Sequence, residues 1–129
     1  MQPQNGYNSE NDFLDQLTGE IDKSANLEWR KTTFDAGADL IVRDKDTGKT
    51  ALIEFKTGGQ YGELPISSII ALSNISRNNK DLQKIFLITF SQISAMLSAK
   101  LKELNNVKTI TQPANAGQVV HEVQLALSA

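Results

Sequence analysis

Cysteine is absent from this 129-residue chain, and histidine occurs once. The first absence excludes disulfides, thiolate metal sites and cysteine nucleophiles. The second excludes paired-histidine metal motifs, and His121 reads as a surface residue. No apolar run reaches transmembrane length, and the opening MQPQNGYNSEND lacks a basic-then-apolar leader pattern, so a cytoplasmic location is expected. No Gly-x-x-x-x-Gly-Lys-Ser/Thr phosphate loop occurs, which removes a P-loop nucleotide hydrolase. An excess of positive charge is missing too: 13 Lys+Arg stand against 15 Asp+Glu, for a net charge of −2 and a pI near 5.3. Uniform attraction to a polyanion is therefore excluded. Any such binding must rest on a local patch, a metal ion or a partner chain.

What is present describes an ordinary globular domain, 40% hydrophobic and 22% charged, long enough to bury a core. Residues 1–8 are polar and read as a disordered tail, leaving residues 9–129 as a single domain. A helix is expected over 9–24, with Ser9 as N-cap and Phe13, Leu14, Leu17 and Ile21 at helical spacing. Leu27 to Phe34 alternates as a strand, with Trp29 as a core anchor. Pro65 suits the first turn of a helix to about Arg77, buried through Ile66, Ile69, Ile70 and Ser73. Lys84 to Phe90 is a continuous apolar run of the kind that forms a fully covered strand. Ser91 is expected to cap a helix over 92–104 that buries Ile93, Met96, Leu97, Leu101 and Leu104. Residues 107–112 make a short strand. Residues 119–127 fit an amphipathic helix or a terminal strand.

The central stretch is GADLIVRDKDTGKTALIEFKT, residues 37–57. Two β-branched runs, Asp39 to Asp44 and Thr50 to Thr57, flank Lys45-Asp46-Thr47-Gly48, a hairpin signal. A four-residue loop pairs Asp44 with Lys49, and a two-residue loop of Asp46-Thr47 keeps the same register. Either sets Asp39 opposite Glu54, with Lys56 two residues along on the same face. Both runs are apolar on both faces, as in a covered central strand, so charges there need a reason. Two facing carboxylates repel unless a cation lies between them, and oxygen ligands suit a hard divalent ion. Gly58, Gly59 and Gly62 then mark a glycine-rich connection carrying Gln60 and Tyr61.

Asp39, fourteen intervening residues and then Glu54-Phe55-Lys56 resemble the D…(D/E)xK signature of the PD-(D/E)XK nuclease superfamily. The segments GADLIV, IEFKTG and IFLITFSQISA are most similar to Mrr-like restriction endonuclease domains, over roughly Asp12 to Gln112. Ala38 stands where that family usually has proline, and Glu54 where the Mrr subgroup often has glutamine. The resemblance implies a restriction-endonuclease-like α/β fold, a mixed sheet sandwiched by helices in the order αβββαβαβ. It implies a Mg²⁺- or Mn²⁺-dependent endonuclease acting on nucleic acid, DNA favoured. Asp39, Glu54 and the Phe55 carbonyl would hold the metal, and Lys56 would orient the attacking water and stabilise developing charge. Asp12, Asp15 or Glu20 on the first helix would supply a further acid. Thr57, Gln60, Tyr61, Arg30, Lys31 and Arg77 would touch substrate. The acidic balance keeps two alternatives open: a catalytically silent nuclease-fold module for binding or regulation, and a toxin or subunit domain that works as a homodimer or beside a partner chain.

Overall fold

The computed structural model describes residues 10–32, 39–56 and 64–128, the side chains of residues 10, 11, 32 and 39 excepted. The expected tail (1–8) and the Ser9 cap lie outside the described residues. The elements run α1 (Glu10–Asp22), β1 (Leu27–Thr32), β2 (Asp39–Asp44), β3 (Thr50–Phe55), α2 (Ile66–Asn78), β4 (Lys84–Thr89), α3 (Ala95–Lys102), β5 (Val107–Thr111) and α4 (Ala116–Ser128). The α/β class holds, and the ambiguous last segment is a helix, which adds α4 to the expected order. No described helix is long and apolar enough to cross a membrane.

The five strands lie in chain order across one mixed sheet. β1, β2 and β3 form an antiparallel meander, while β3, β4 and β5 are parallel. Both parallel crossovers step in the same direction across the sheet. Right-handed crossovers therefore put α2 and α3 on one face. There they pack Ile69, Leu72, Ile75, Leu97 and Leu101 on Ile41, Leu52, Ile85 and Leu87. On the other face α1 and α4 pack Phe13, Leu17, Ile21, Val119 and Val123 on Leu40, Val42, Ile53, Phe86 and Ile88. β3 and β4 are buried along both faces, which is why their sequences read as continuous apolar runs.

The β2–β3 turn is the four-residue alternative. The Asp44 N–H donates to the Lys49 carbonyl at 2.9 Å, and Gly48 closes the loop at φ 76°. Asp44 itself is buried, and its carboxylate accepts from the Asp46 and Thr47 N–H groups and from Asn26 Nδ2. Asp44→Ala should cost about 1–3 kcal/mol in a urea melt, and Asp44→Asn, which keeps an acceptor, should cost less.

Three expected details differ. Helix α3 starts later: Ser94, not Ser91, caps it, accepting from the Leu97 N–H at 3.2 Å, while the Ser91 N–H donates to the Thr89 hydroxyl. With that start Leu97 and Leu101 take the sheet, and Met96, one residue off their line, is 60% exposed rather than core. On α2 the buried stripe is Ser68, Ile69, Leu72 and Ile75, and Ile66 and Ile70 face outward. The 69–72–75 spacing keeps apolar side chains on the sheet for the whole helix, which the 66–70–73 line does not. Trp29 packs at the edge of the α1/α4 core, its indole N–H donating to Asp22 at 2.9 Å.

Candidate active site at the carboxyl edge of the sheet

The β2–β3 pairing joins Leu40 to Ile53, Ile41 to Leu52, Val42 to Ala51 and Arg43 to Thr50. Carried one residue further, the same register sets the Asp39 backbone across from Glu54. Leu52 and Ile41 face α2 and α3, so the two-residue period puts positions 39, 54 and 56 on that face. Because β3, β4 and β5 are parallel and β2 runs opposite to β3, one edge of the sheet collects several ends. They are the start of β2 and the ends of β1, β3, β4 and β5. This is the edge where open α/β sheets place ligands.

Glu54 is fully buried, and Lys56, its side chain 17% exposed, brings its ammonium to 3.8 Å from the Glu54 Oε1. That separation is an ion pair rather than a hydrogen bond. A carboxylate with no exposure is costly to keep without positive charge beside it, whether ammonium or metal. Phe55 turns its ring to the opposite face, 5.6 Å from Phe13 and 5.8 Å from Phe90, which holds the start of α1 against this edge. Lys56 continues the strand pairing, its N–H donating to the Ile88 carbonyl at 3.0 Å.

The remaining expected residues divide by place. Asp39 is positioned by its backbone alone; its side chain, and all of Thr57, Gln60 and Tyr61, lie outside the described residues. Asp12 is half-buried beside Phe13 and so belongs to this edge. Asp15 is exposed, and Glu20 lies two turns further along α1, bonded to Lys23 at 3.0 Å. Arg30 pairs with Ile41 and so shares the Glu54 face, whereas Lys31 pairs with Leu40 and points to the α1/α4 face. Arg77 sits in the last turn of α2, about 16 Å along the helix from its start at this edge. His121 is exposed, as expected.

The sequence reading missed Thr89. It is fully buried and follows Leu87 on the Glu54 face, and the register places it beside Lys56. The signal was the one hydroxyl inside the apolar run KIFLITF. Also missed was what the helices do here. α2, α3 and α4 each follow a strand that ends at this edge, and none carries an acidic residue in its first turn. Their positive dipole ends supply a field that a count of charged side chains omits. Gln112, at the same edge, has φ 45° and is the one non-glycine with positive φ among the described residues.

Carboxylates at 39 and 54 with a backbone carbonyl form a hard oxygen donor set, which fits Mg²⁺ or Mn²⁺ better than zinc. Among the described residues no group of three or more His, Cys, Asp or Glu gathers at ligand distance. A site of two carboxylates and a carbonyl, one carboxylate lying outside the described side chains, is not of that kind. Comparison of the chain with protein-family models, with curated proteins and with solved structures finds no match.

Proposed function

We propose that this chain is a divalent-cation-dependent nuclease that hydrolyses phosphodiester bonds in nucleic acid, DNA favoured, on a restriction-endonuclease-like fold in the cytoplasm. The observation that carries the reading is the hairpin register. It brings position 39 across from a fully buried Glu54, with the Lys56 ammonium 3.8 Å from that carboxylate, at the carboxyl edge of the sheet. Asp39, Glu54 and the Phe55 carbonyl would hold the cation, which when bound supplies Lewis acidity and lowers the pKa of a water. Lys56 orients the attacking water and stabilises charge that develops on the phosphate. The helix starts of α2, α3 and α4 draw the phosphodiester toward the edge. Thr89 fixes the Ser91 N–H and with it the turn that leads into α3.

Wild-type protein should cleave members of a panel of single- and double-stranded DNA and RNA in Mg²⁺ or Mn²⁺, and chelation with EDTA should stop it. Cleavage that persists in EDTA, or none on any substrate, overturns the reading. One observation favours a second reading, a silent module or a subunit that needs a partner chain or a second copy: the net charge of −2. Under that reading nucleic acid binds without turnover, or only when the partner is present.

A further inference from the structure

Beyond the site itself, a groove of about 830 Å³ runs between α3 and β5 on the same face of the sheet. It opens at the carboxyl edge, at Ser91 and Thr111, and continues past Thr109 and Ser98 to Lys102 and Lys84. It is continuous with the proposed site by register. Thr89 lies beside Lys56, and Thr111 pairs with Thr89, so the groove mouth is two strands, about 10 Å, from Lys56.

The lining has a consistent chemistry. Among the described residues that form it there is no carboxylate and no aromatic ring; hydroxyls, amides and lysines predominate. In a chain with more acids than bases, a groove of this size without a carboxylate departs from the average surface. Hydroxyl and ammonium donors are what phosphate oxygens take, whereas base reading by stacking needs aromatic faces. One lysine at the wall is neutralised, since Lys108 Nζ lies 2.6 Å from Glu122 on the far side of β5. Lys84 alternates with Ile85 and pairs with Ala51, so it too turns toward the α1/α4 face, which leaves Lys102 to carry the argument. β5 spans about 13 Å, room for about four nucleotides at the roughly 3.4 Å rise of a stacked strand.

Resting on the nuclease reading, we infer that the α3–β5 groove holds the sugar–phosphate backbone of the substrate strand flanking the scissile bond. It tracks the strand without reading its bases. Binding is then tolerant of sequence and depends on few phosphates, because among the described residues one lysine, Lys102, faces the groove without an acidic partner.

The test is a fluorescence-anisotropy salt titration with short labelled DNA oligonucleotides, single-stranded and duplex, in Ca²⁺ with the full chain. Lys102→Gln should lower the log–log salt slope by about one, and Lys84→Gln, on the other face of the sheet, should leave it nearly as it is. Ser98→Glu, which adds a carboxylate to the wall and leaves Lys102, should weaken binding in the same direction, and with Lys102→Gln should bind about tenfold more weakly at low salt. Lys45→Gln, the same charge change in the hairpin turn at the opposite edge, should leave the slope as it is. Inorganic phosphate at matched ionic strength should fail to displace the oligonucleotide; full displacement would mean isolated anions and not a strand, and would overturn the inference. A Lys102→Gln variant with the slope of Lys45→Gln also overturns it while leaving the nuclease reading intact. Wild-type protein that binds no oligonucleotide overturns both. Loss of slope in the groove variants, in a protein that never cleaves, supports the groove and removes the nuclease.

Discussion

Glu54→Gln should lower divalent-dependent cleavage by about a thousandfold or more, which is about 4 kcal/mol of barrier. The substitution keeps the shape of a side chain that has no exposure and removes only its charge. Steric loss therefore does not explain the effect. Asp39→Asn should behave alike, and both should weaken Mg²⁺ or Mn²⁺ binding in calorimetric titration. Lys56→Met should lose activity to a similar degree and keep the metal. The three variants should separate again in stability. Glu54→Gln removes a buried charge whose desolvation is costly, so the metal-free protein should be as stable as the parent or more so. Lys56→Met leaves the Glu54 carboxylate buried without the ammonium 3.8 Å away, and should cost about 2–4 kcal/mol. That range is set below the value for a fully buried pair because Lys56 reaches solvent. Single-turnover kinetics and urea melts on the same preparations read both effects. Wild-type cleavage by Glu54→Gln would falsify the assignment.

Phe13→Ala should be the most destabilising single change within α1, at about 3–5 kcal/mol. Phe13 has no exposed surface, and its ring meets Phe55 at 5.6 Å and Phe90 at 5.5 Å, the latter edge-on. The three rings come from α1, the end of β3 and the turn after β4, so the cavity would open between three elements with little means of collapsing. At this chain length the loss should lower Tm by about 10–20 °C. Met96→Ala, a truncation of an apolar side chain at an exposed position, should stay within about 0.5 kcal/mol. If the two variants melt together, the aromatic cluster does not fasten α1 to the sheet.

The hairpin was legible because its signals are local. Turn chemistry, strand alternation and a counted register depend on neighbours in sequence, and the pairing of Asp44 with Lys49 came out as counted. The start of α3 was not legible, since Ser91 and Ser94 are both good caps. The choice was made by Thr89, whose buried hydroxyl takes the Ser91 N–H and leaves the helix to begin at Ser94. The exposed faces of Met96 and Ile70 have a related cause. An apolar residue at helical spacing predicts a stripe, but which of two adjacent stripes faces the sheet depends on how the helix is rotated on its strands. At the site, position 39, Glu54 and Lys56 were readable from register alone. Thr89 and the three acid-free helix starts depend on crossovers that a linear reading does not place.

The sheet order has a consequence for how the chain is made. Each strand adds beside the one synthesised just before it, so the meander, the two crossovers and the α2/α3 face can be laid down as the chain emerges. The other face obeys a different schedule. Its two helices are the first and last described elements, and α1 meets α4 along Glu20–Gly117 and Ser24–Gln124. Until α4 leaves the ribosome, Leu17, Ile21, Val42 and Phe86 have only half of their cover. The hairpin turn, already closed by Asp44, gains one more tie only when α4 arrives and the Thr47 hydroxyl donates to the Leu127 carbonyl. The nascent protein thus passes through a stage with the carboxyl edge of its sheet assembled and its opposite face still sticky, the interval in which a chaperone would find it.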